Sequence, residues 1–321
     1  MTAALPPAVL GIDIGGTKIA VGVVESGGRV LSVVRAPTPA TQDAEELLAF
    51  IAVLAEQARH ESPQAPTALG IGCGGPMIFP EGVVSPLHIP AWQAFPLRAR
   101  LEAALALPAV LDNDAKAFAL GEALFGAGRG ARALLGMVVS TGVGGGLVFN
   151  GRLLDGASGN AGHVGHLVVD AAGPACYCGG YGCLTVYASG TGLAARAVEA
   201  VAAGEVSSLA DLRADAITAA AITAAAAHGD SLGQRLLQQA GTALGWGIAS
   251  AANLLDLDRV VLGGGVTGAG RALFDPLRQA LRRHAQLAFS REVDVQPAAG
   301  GPAAGVVGAA ALVYQQYKED R

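Results

Sequence analysis

The chain has 321 residues, and a composition of 52% hydrophobic and 15% charged residues excludes a disordered polar chain and allows about two domains. A net charge of −5 without a basic block argues against a nucleic-acid-binding surface. Glycine, proline or a charge interrupts every apolar run before it reaches membrane-spanning length, and the N-terminus lacks the features of a signal peptide. We therefore expect a cytoplasmic protein with neither nucleic acid nor membrane as a partner.

The first motif joins two apolar runs, residues 8–14 and 19–24, through a pair of glycines, which is typical of a β-hairpin with a tight turn. Glycines allow a ligand to approach the backbone, and their N–H groups can converge on a phosphate. An acid next to a polyphosphate usually indicates Mg²⁺. We expect a phosphate-binding segment made of Asp13, Gly15, Gly16, Thr17 and Lys18. The alternative is an ordinary hairpin turn.

The next stretch predicts a third strand at 30–35, an amphipathic helix at 43–60 and a buried strand at 68–73. The last strand ends in Gly74-Gly75, and glycines at the carboxyl end of a strand are typical of a ligand crevice in an α/β fold. Residues 85–92 are proline-rich and irregular. Such a loop either carries substrate contacts or simply connects two elements.

A helix at 97–105 and a short strand at 109–111 lead to Asp112-Asn113-Asp114, and a helix at 115–125 follows. Two interpretations are compatible here. Asn113 or Asp114 caps the helix, or a carboxylate at the strand end faces the crevice as a general base.

A second strand–turn–strand pattern covers 134–139 and 147–150, with Ser140-Thr141-Gly142-Val143-Gly144-Gly145-Gly146 as its turn. It repeats the design of the first motif. Two such turns indicate two related halves, each with a phosphate clamp.

A cluster of metal-ligand types follows in His166, Cys176, Cys178 and Cys183. One imidazole and three thiols suit tetrahedral Zn²⁺, and Gly179, Gly180 and Gly182 allow the tight loop between the last two cysteines. Four protein ligands make a closed, structural zinc site. The alternative is three buried thiols without metal.

The remaining pattern predicts strands at 167–170, 260–262 and 293–295, and helices at 185–201, 214–255 with a break near 228–230, 271–287 and 303–317. The strand at 260–262 again ends in glycines, 263–265. Strands and helices alternate twice over, which predicts an α/β protein with two lobes and a cleft.

Taken together, DIGGTK at 13–18, Asn113-Asp114, STGVGGG at 140–146, AGxxGH at 161–166 and CxCGGxGC at 176–183 resemble the ROK family of sugar kinases and repressors. The resemblance implies the two-lobed, actin-like ATPase (ribonuclease H-like) sugar kinase fold. We expect a small lobe at 1–112, to which a C-terminal helix at about 304–321 returns, and a large lobe at 113–303 with the zinc loop.

The resemblance also implies roles for these residues. Asp114 becomes the base that deprotonates the 6-hydroxyl of a sugar. The segments that would bind ATP comprise Asp13, Gly15, Gly16, Thr17, Lys18, Thr141, Gly142 and Gly144, with Gly264 and Gly265 at the adenosine. The positions that would bind the sugar comprise Gly75, His88, Asn113, Asp114, His163, His166 and Thr185. His166, Cys176, Cys178 and Cys183 match the zinc ligands. Mg²⁺ accompanies ATP.

The chain departs from the family pattern at three positions. His163 and Thr185 stand where many ROK glucokinases have glutamates that bind sugar hydroxyls, and His88 stands where an asparagine is common. A histidine at 163 resembles the N-acetylmannosamine kinases, which keep the second glutamate. We expect an ATP-dependent kinase acting on the 6-hydroxyl of a hexose, with glucose ranked first.

The alternatives are an N-acetylmannosamine or other N-acetylhexosamine kinase, and a non-catalytic sugar-binding regulator. ROK repressors carry a winged-helix domain before the first strand, and the roughly seven residues here favour the kinase branch. The family's kinases are commonly dimers, so we expect a homodimer.

Overall fold

The computed structural model describes residues 5–319, which form two compact units. Among these residues, unit 1 comprises 5–132, 146–162 and 298–319, and unit 2 comprises 133–145 and 163–297. The strands are β1 (Ala8–Ile14), β2 (Lys18–Glu25), β3 (Val30–Pro37), β4 (Leu69–Cys73), β5 (Met77–Ile78), β6 (Val83–Val84), β7 (Ala109–Asn113), β8 (Ala133–Val139), β9 (Val143–Phe149), β10 (Arg152–Leu153), β11 (Arg259–Gly263) and β12 (Asp294–Pro297). The helices are α1 (Ala44–Glu61), α2 (Leu97–Leu105), α3 (Asp114–Phe125), α4 (Leu184–Ala188), α5 (Gly190–Ala202), α6 (Ala219–Ala227), α7 (Ser231–Leu255), α8 (Arg271–His284) and α9 (Ala304–Glu319).

The sheet of unit 1 has the strand order β3-β2-β1-β4-β7. The glycine turn joins β1 to β2 as the predicted antiparallel hairpin, in which Ile14 pairs with Ile19. The strands β1, β4 and β7 run parallel, so their carboxyl ends lie at one edge of the sheet. This edge carries the predicted site residues of unit 1.

Helices cover the sheet of unit 1. The exposed Asp43 caps α1 by accepting hydrogen bonds from two backbone N–H groups of its first turn, and apolar residues on one face of the helix, including Leu47 and Ile51, are buried. Helix α9 packs on β1 and β4. A side chain at Gly70 would overlap the carbonyl of Ala309, so glycine permits this close contact between helix and strand.

In unit 2, β8, β11 and β12 pair in parallel, and α7 packs along α8. The predicted break near 228–230 is confirmed, because α6 ends at Ala227 and Asp230 caps α7. The single helix predicted over 185–201 is wrong. It is two helices, since Ser189 is extended and its hydroxyl accepts the N–H of Gly192 as the cap of α5.

Two further expectations differ from the structure. Residues 167–170 form no strand, because Val169 and Asp170 both donate to the carbonyl of Gly182 and only Val168 makes a β-bridge, to Cys183. The expected lobe boundary at 112 differs from the observed units, in which 113–132 and 146–162 belong to unit 1. Helix α3 packs along α9, where Gly308 touches the backbone of Ala117, and this contact holds α3 in unit 1.

The C-terminal helix belongs to unit 1, and residues 1–4 and 320–321 of the expected small lobe lie outside the described residues. Among the helices at 5–319, none has the combination of length and apolarity that a membrane span requires.

Candidate active site and metal centre

The carboxyl edge of the unit 1 sheet brings two acids close together. Asp13, the penultimate residue of β1, pairs with Gly72 of β4, and Gly72 pairs in turn with Asp112 of β7. Asp114 follows immediately as the first residue of α3 and is half-buried. The negative charge of Asp114 raises the pKa of Asp13, so the two carboxylates interact electrostatically.

Asp13 has a strongly perturbed environment. The pKa of its carboxyl is raised to about 6, first by burial and then by the negative charge of Asp114, while the positive charge of Lys18 opposes both effects. The carboxylate also lies against Gly305, in the first turn of α9. A carboxylate with a raised pKa favours a bound cation, because the cation relieves the repulsion between the two acids.

The predicted phosphate segment forms the turn that leaves β1. Gly15 donates to the carbonyl of Lys18 at 3.0 Å, and the Thr38 hydroxyl donates to the carbonyl of Gly15 at 2.7 Å. Gly16, Thr17 and Lys18 are exposed and can contact a ligand. The Cβ of His88 packs directly over Gly16, which brings the proline-rich segment onto this turn.

The strand-to-helix junction at β7 contains a helix cap at Asn113 and the carboxylate of Asp114. The side chain of Asn113 caps α3 by accepting the N–H of Ala115 at 3.0 Å and that of Lys116 at 3.4 Å. The Nδ2 of Asn113 lies near Gly75, where a Cβ would be 3.9 Å from it. The capping interpretation is therefore confirmed at Asn113, while Asp114 is the first residue of α3 and its Oδ1 accepts the N–H of Ala115 at 2.8 Å.

In unit 2, the glycine turn after β8 and the glycines after β11 lie next to each other. Gly264 follows β11 with a φ of 96° and packs on the backbone of Val139 at the end of β8, so Gly264 and Gly265 lie next to the turn that begins at Ser140. The N–H of Gly190 donates to the carbonyl of Ser140 at 2.7 Å.

The start of α5 also holds the second turn. The Thr191 hydroxyl donates to the carbonyl of Thr141 at 2.8 Å. Thr141 is exposed, and Gly142 and Gly144 are half-exposed. The start of α5 thus fixes the predicted second phosphate turn.

The unit 2 residues expected to bind sugar have different exposures. His163 is exposed, His166 is half-buried, and Thr185 is 2% exposed. The Thr185 hydroxyl accepts the N–H of Val143 at 3.3 Å. This hydrogen bond supports the second glycine turn.

His166, Cys176, Cys178 and Cys183 come together as predicted. Their ligand atoms all lie within 4.8 Å of one another. The sulfur atoms of Cys178 and Cys183 are 3.7 Å apart, and the sulfur of Cys176 is 3.8 Å from Nδ1 of His166. Tetrahedral Zn²⁺ with Zn–S bonds of about 2.3 Å separates its sulfur ligands by about 3.7 Å. The donor set and its spacing therefore fit zinc.

Local backbone geometry builds this metal cluster. Gly179 and Gly182 have φ values of 88° and 64°, and the N–H of Cys176 donates to the carbonyl of Gly180 at 2.8 Å. The pKa of the Cys178 thiol is lowered, first by the backbone N–H of Gly180, which favours the thiolate that binds metal.

Two functional candidates escaped the sequence analysis. Lys116 is buried near Asp114, and the Tyr177 hydroxyl lies 3.3 Å from Nε2 of His166. A lysine within a predicted helix and a tyrosine between two cysteines carry no motif signal. Only their neighbours in the structure reveal them.

Comparisons with known proteins identify the family and its relatives. A sequence model described as "ROK family" matches residues 9–316. The glucokinase of Halalkalibacterium halodurans is 35% identical over 96% of this chain and 95% of its own length. The N-acetylmannosamine kinase of Citrobacter koseri is 36% identical over 80% of this chain and 83% of its own length.

Among solved structures, a ROK family glucokinase from Streptomyces griseus in complex with glucose and AMPPNP matches with a TM-score of 0.83. It is 35% identical, and the match covers 96% of this chain and 99% of that chain. The predicted actin-like ATPase fold is thereby confirmed. Because the family model spans nearly the whole sequence and similar relatives match over almost their full length, the chain belongs to the ROK family.

Proposed function

We propose that this protein is an ATP-dependent sugar kinase that transfers the γ-phosphoryl group to the 6-hydroxyl of a hexose, with glucose as the leading candidate. The observation that carries the proposal is the pair of interacting carboxylates, Asp13 and Asp114, at the carboxyl edge of unit 1. The similarity to glucokinases along almost the entire chain supports it.

Phosphoryl transfer requires positioning and charge neutralisation more than covalent chemistry. Asp114 accepts the proton of the attacking hydroxyl, which makes the oxygen more nucleophilic as it approaches the phosphorus. Gly16 and Thr17 are exposed residues whose backbone N–H groups bind phosphate oxygens, and Lys18 adds a positive charge. Asp13 would hold Mg²⁺ directly or through water, and the ion would neutralise negative charge on ATP.

On the nucleotide, Thr141, Gly142 and Gly144 bind phosphate, and Gly264 and Gly265 lie along the adenosine. Their adjacency in unit 2 supports this assignment. Backbone N–H groups in glycine-rich turns suit phosphate because no side chain blocks the approach.

On the sugar, Asn113 and the backbone at Gly75 bind hydroxyl groups beside Asp114, and His88 approaches from the neighbouring loop. His163, His166 and Thr185 supply further contacts. None of these three carries a carboxylate, so the sugar loses the strong charge-assisted hydrogen bonds that glutamates would provide. We expect weaker binding of the sugar than in ROK kinases with two glutamates.

The metal cluster holds one structural Zn²⁺ through His166, Cys176, Cys178 and Cys183, and its spacing supports the assignment. The zinc ties the loop at 176–183 to His166 and stabilises it by coordination. Metal analysis of the purified protein should find about one zinc per chain. Because kinases of the family are commonly dimers, we propose a homodimer. Light scattering, which measures the molar mass in solution, tests this oligomeric state.

One specific observation favours a second function. His163 occupies a position at which N-acetylmannosamine kinases carry histidine, and one such kinase is 36% identical. A third candidate is a regulator that binds sugar without catalysis. The replacement of the two glutamates by His163 and Thr185 favours this alternative.

A coupled assay of ADP release over glucose, mannose, N-acetylglucosamine and N-acetylmannosamine separates these functions. The highest kcat/KM with glucose supports the first proposal, and with N-acetylmannosamine the second. Sugar binding in calorimetry without ADP release would identify a regulator and reject both kinase proposals.

A further inference from the structure

Lys116 is a buried cation near the start of α3, two residues after Asp114. Its side chain is 2% exposed. Its Nζ lies 2.7 Å from Oδ2 of Asp112, 2.7 Å from Oδ1 of Asp155 and 3.2 Å from the carbonyl of Gly159. All five residues belong to unit 1.

These contacts use all three N–H donors of the ammonium group. Removing an ammonium from water costs several kcal/mol, and the cost is offset only when the charge is paired and fully hydrogen-bonded. Asp112 is itself buried and also accepts the N–H of Asn113 at 2.6 Å. Asp155, by contrast, is 42% exposed and comes from a distant part of the sequence.

Lys116 also organises an aromatic contact. Its Nζ lies 5.2 Å from the centre of the Phe79 ring, within range of a cation–π interaction. The Phe79 side chain packs on Gly159, whose carbonyl accepts from Lys116. A single side chain therefore joins three parts of unit 1: α3, the loop at 76–80 (which includes the two-residue strand β5) and the segment at 155–161.

The joined parts flank the proposed sugar-binding residues of unit 1. The loop at 76–80 directly follows Gly75, and α3 begins with Asp114. A displacement of the loop or the segment would move Gly75 relative to Asp114, and errors of about 1 Å in a site can cost about 100-fold in rate.

We propose that Lys116 is a positioning residue that holds the loop at 76–80 and the segment at 155–161 against α3, and so sets the geometry of the sugar-binding side of unit 1. The inference rests on the proposed kinase function. It adds an internal charge cluster, Asp112–Lys116–Asp155, to the residues that determine sugar affinity.

Two variants test this role. Lys116→Met keeps the length of the side chain and removes its charge and donors. Asp155→Asn removes one carboxylate at the exposed end of the cluster and leaves the Lys116–Asp112 pair intact, so we expect it to fold even if Lys116→Met does not. Lys116→Arg serves as the conservative variant.

In both test variants, we expect KM for the sugar to rise about tenfold or more, while KM for ATP changes by less than about twofold. Lys116→Arg should recover part of the sugar affinity. Hydrogen–deuterium exchange should increase in peptides covering 76–80 and 155–161, and not in those covering β8 or α7. The control is Arg100→Gln, which removes an exposed ion pair to Glu45 in the same unit and should leave both readouts unchanged.

A merely stabilising role would lower the folded fraction and leave both KM values and the exchange pattern of the folded protein unchanged, and that result would overturn the proposal. Wild-type protein that phosphorylates no sugar would reject the proposed function. The exchange measurement still decides whether Lys116 holds the two segments.

Discussion

Replacing Asp13 with asparagine should stabilise the protein and inactivate it. Burial and the charge of Asp114 raise the pKa of Asp13 from 3.8 to about 6, so the folded state binds a proton more tightly than the unfolded chain does. The free energy of unfolding therefore falls as the pH rises between these two values. Above about pH 6, where Asp13 is ionised in both states, the whole of this loss is present.

The size of the expected gain in stability follows from the raised pKa of Asp13. A difference of about 2 pKa units corresponds to about 3 kcal/mol at pH 8, and the same linkage gives about half of that free energy at pH 5. Asp13→Asn removes the titrating group. We expect the variant to gain up to about 3 kcal/mol at pH 8 and about half as much at pH 5.

Urea denaturation at pH 5 and pH 8 measures this gain. The chain has two tryptophans, and Trp92 is fully buried in unit 1. In a Trp246→Phe background, tryptophan fluorescence thus reports on unit 1 alone. Asp43→Asn is the matched control, because Asp43 is an exposed helix cap and asparagine caps equally well.

The same Asp13→Asn protein should lose ATP-dependent sugar phosphorylation, because the acid near the phosphate turn is gone. A gain in stability that is larger at pH 8 than at pH 5, together with lost activity, is the expected result. No gain at pH 8, or a gain equal to that of Asp43→Asn, would refute the electrostatic reasoning.

Three other substitutions test the metal centre, the first glycine turn and a buried carboxylate. Tyr177→Phe should lower zinc affinity about tenfold or more in a chelator competition, because it removes the hydroxyl beside Nε2 of His166; unchanged affinity would contradict this role. Gly16→Ala should raise KM for ATP in the coupled assay, since a Cβ there would overlap His88; an unchanged KM would show that the turn tolerates the displacement. Glu122→Ala should lower the free energy of unfolding by about 1–3 kcal/mol in urea denaturation. The reason is that this substitution removes a buried carboxylate that accepts three backbone N–H groups. A loss below about 0.5 kcal/mol would contradict that account.

Local patterns in the sequence predicted the elements that carry the site. The hairpin around Gly15-Gly16, helix α1 and the break before α7 follow from glycine, periodicity and capping residues, and all three are confirmed. The junction at Asn113-Asp114 was predictable because a helix cap and a strand end are both local features.

Other features depend on contacts between distant residues. The assignment of α3 to unit 1 arises from its packing on α9, almost 200 residues later, and no local pattern encodes that pairing. Residues 167–170 have the composition of a strand, but the N–H groups of Val169 and Asp170 bond to the carbonyl of Gly182 in the metal loop instead of to a neighbouring strand. Lys116 was missed for the same reason, since Asp155 and Phe79 approach it only in the folded chain.

The central claim is that Asp114 deprotonates the sugar hydroxyl, and Asp114→Asn tests it most directly. Glucose binding is measured by calorimetry and glucose-dependent ADP release by the coupled assay, with Asp43→Asn as the control. We predict that Asp114→Asn binds glucose with little change while kcat falls at least about 100-fold. Wild-type turnover in Asp114→Asn would contradict the account.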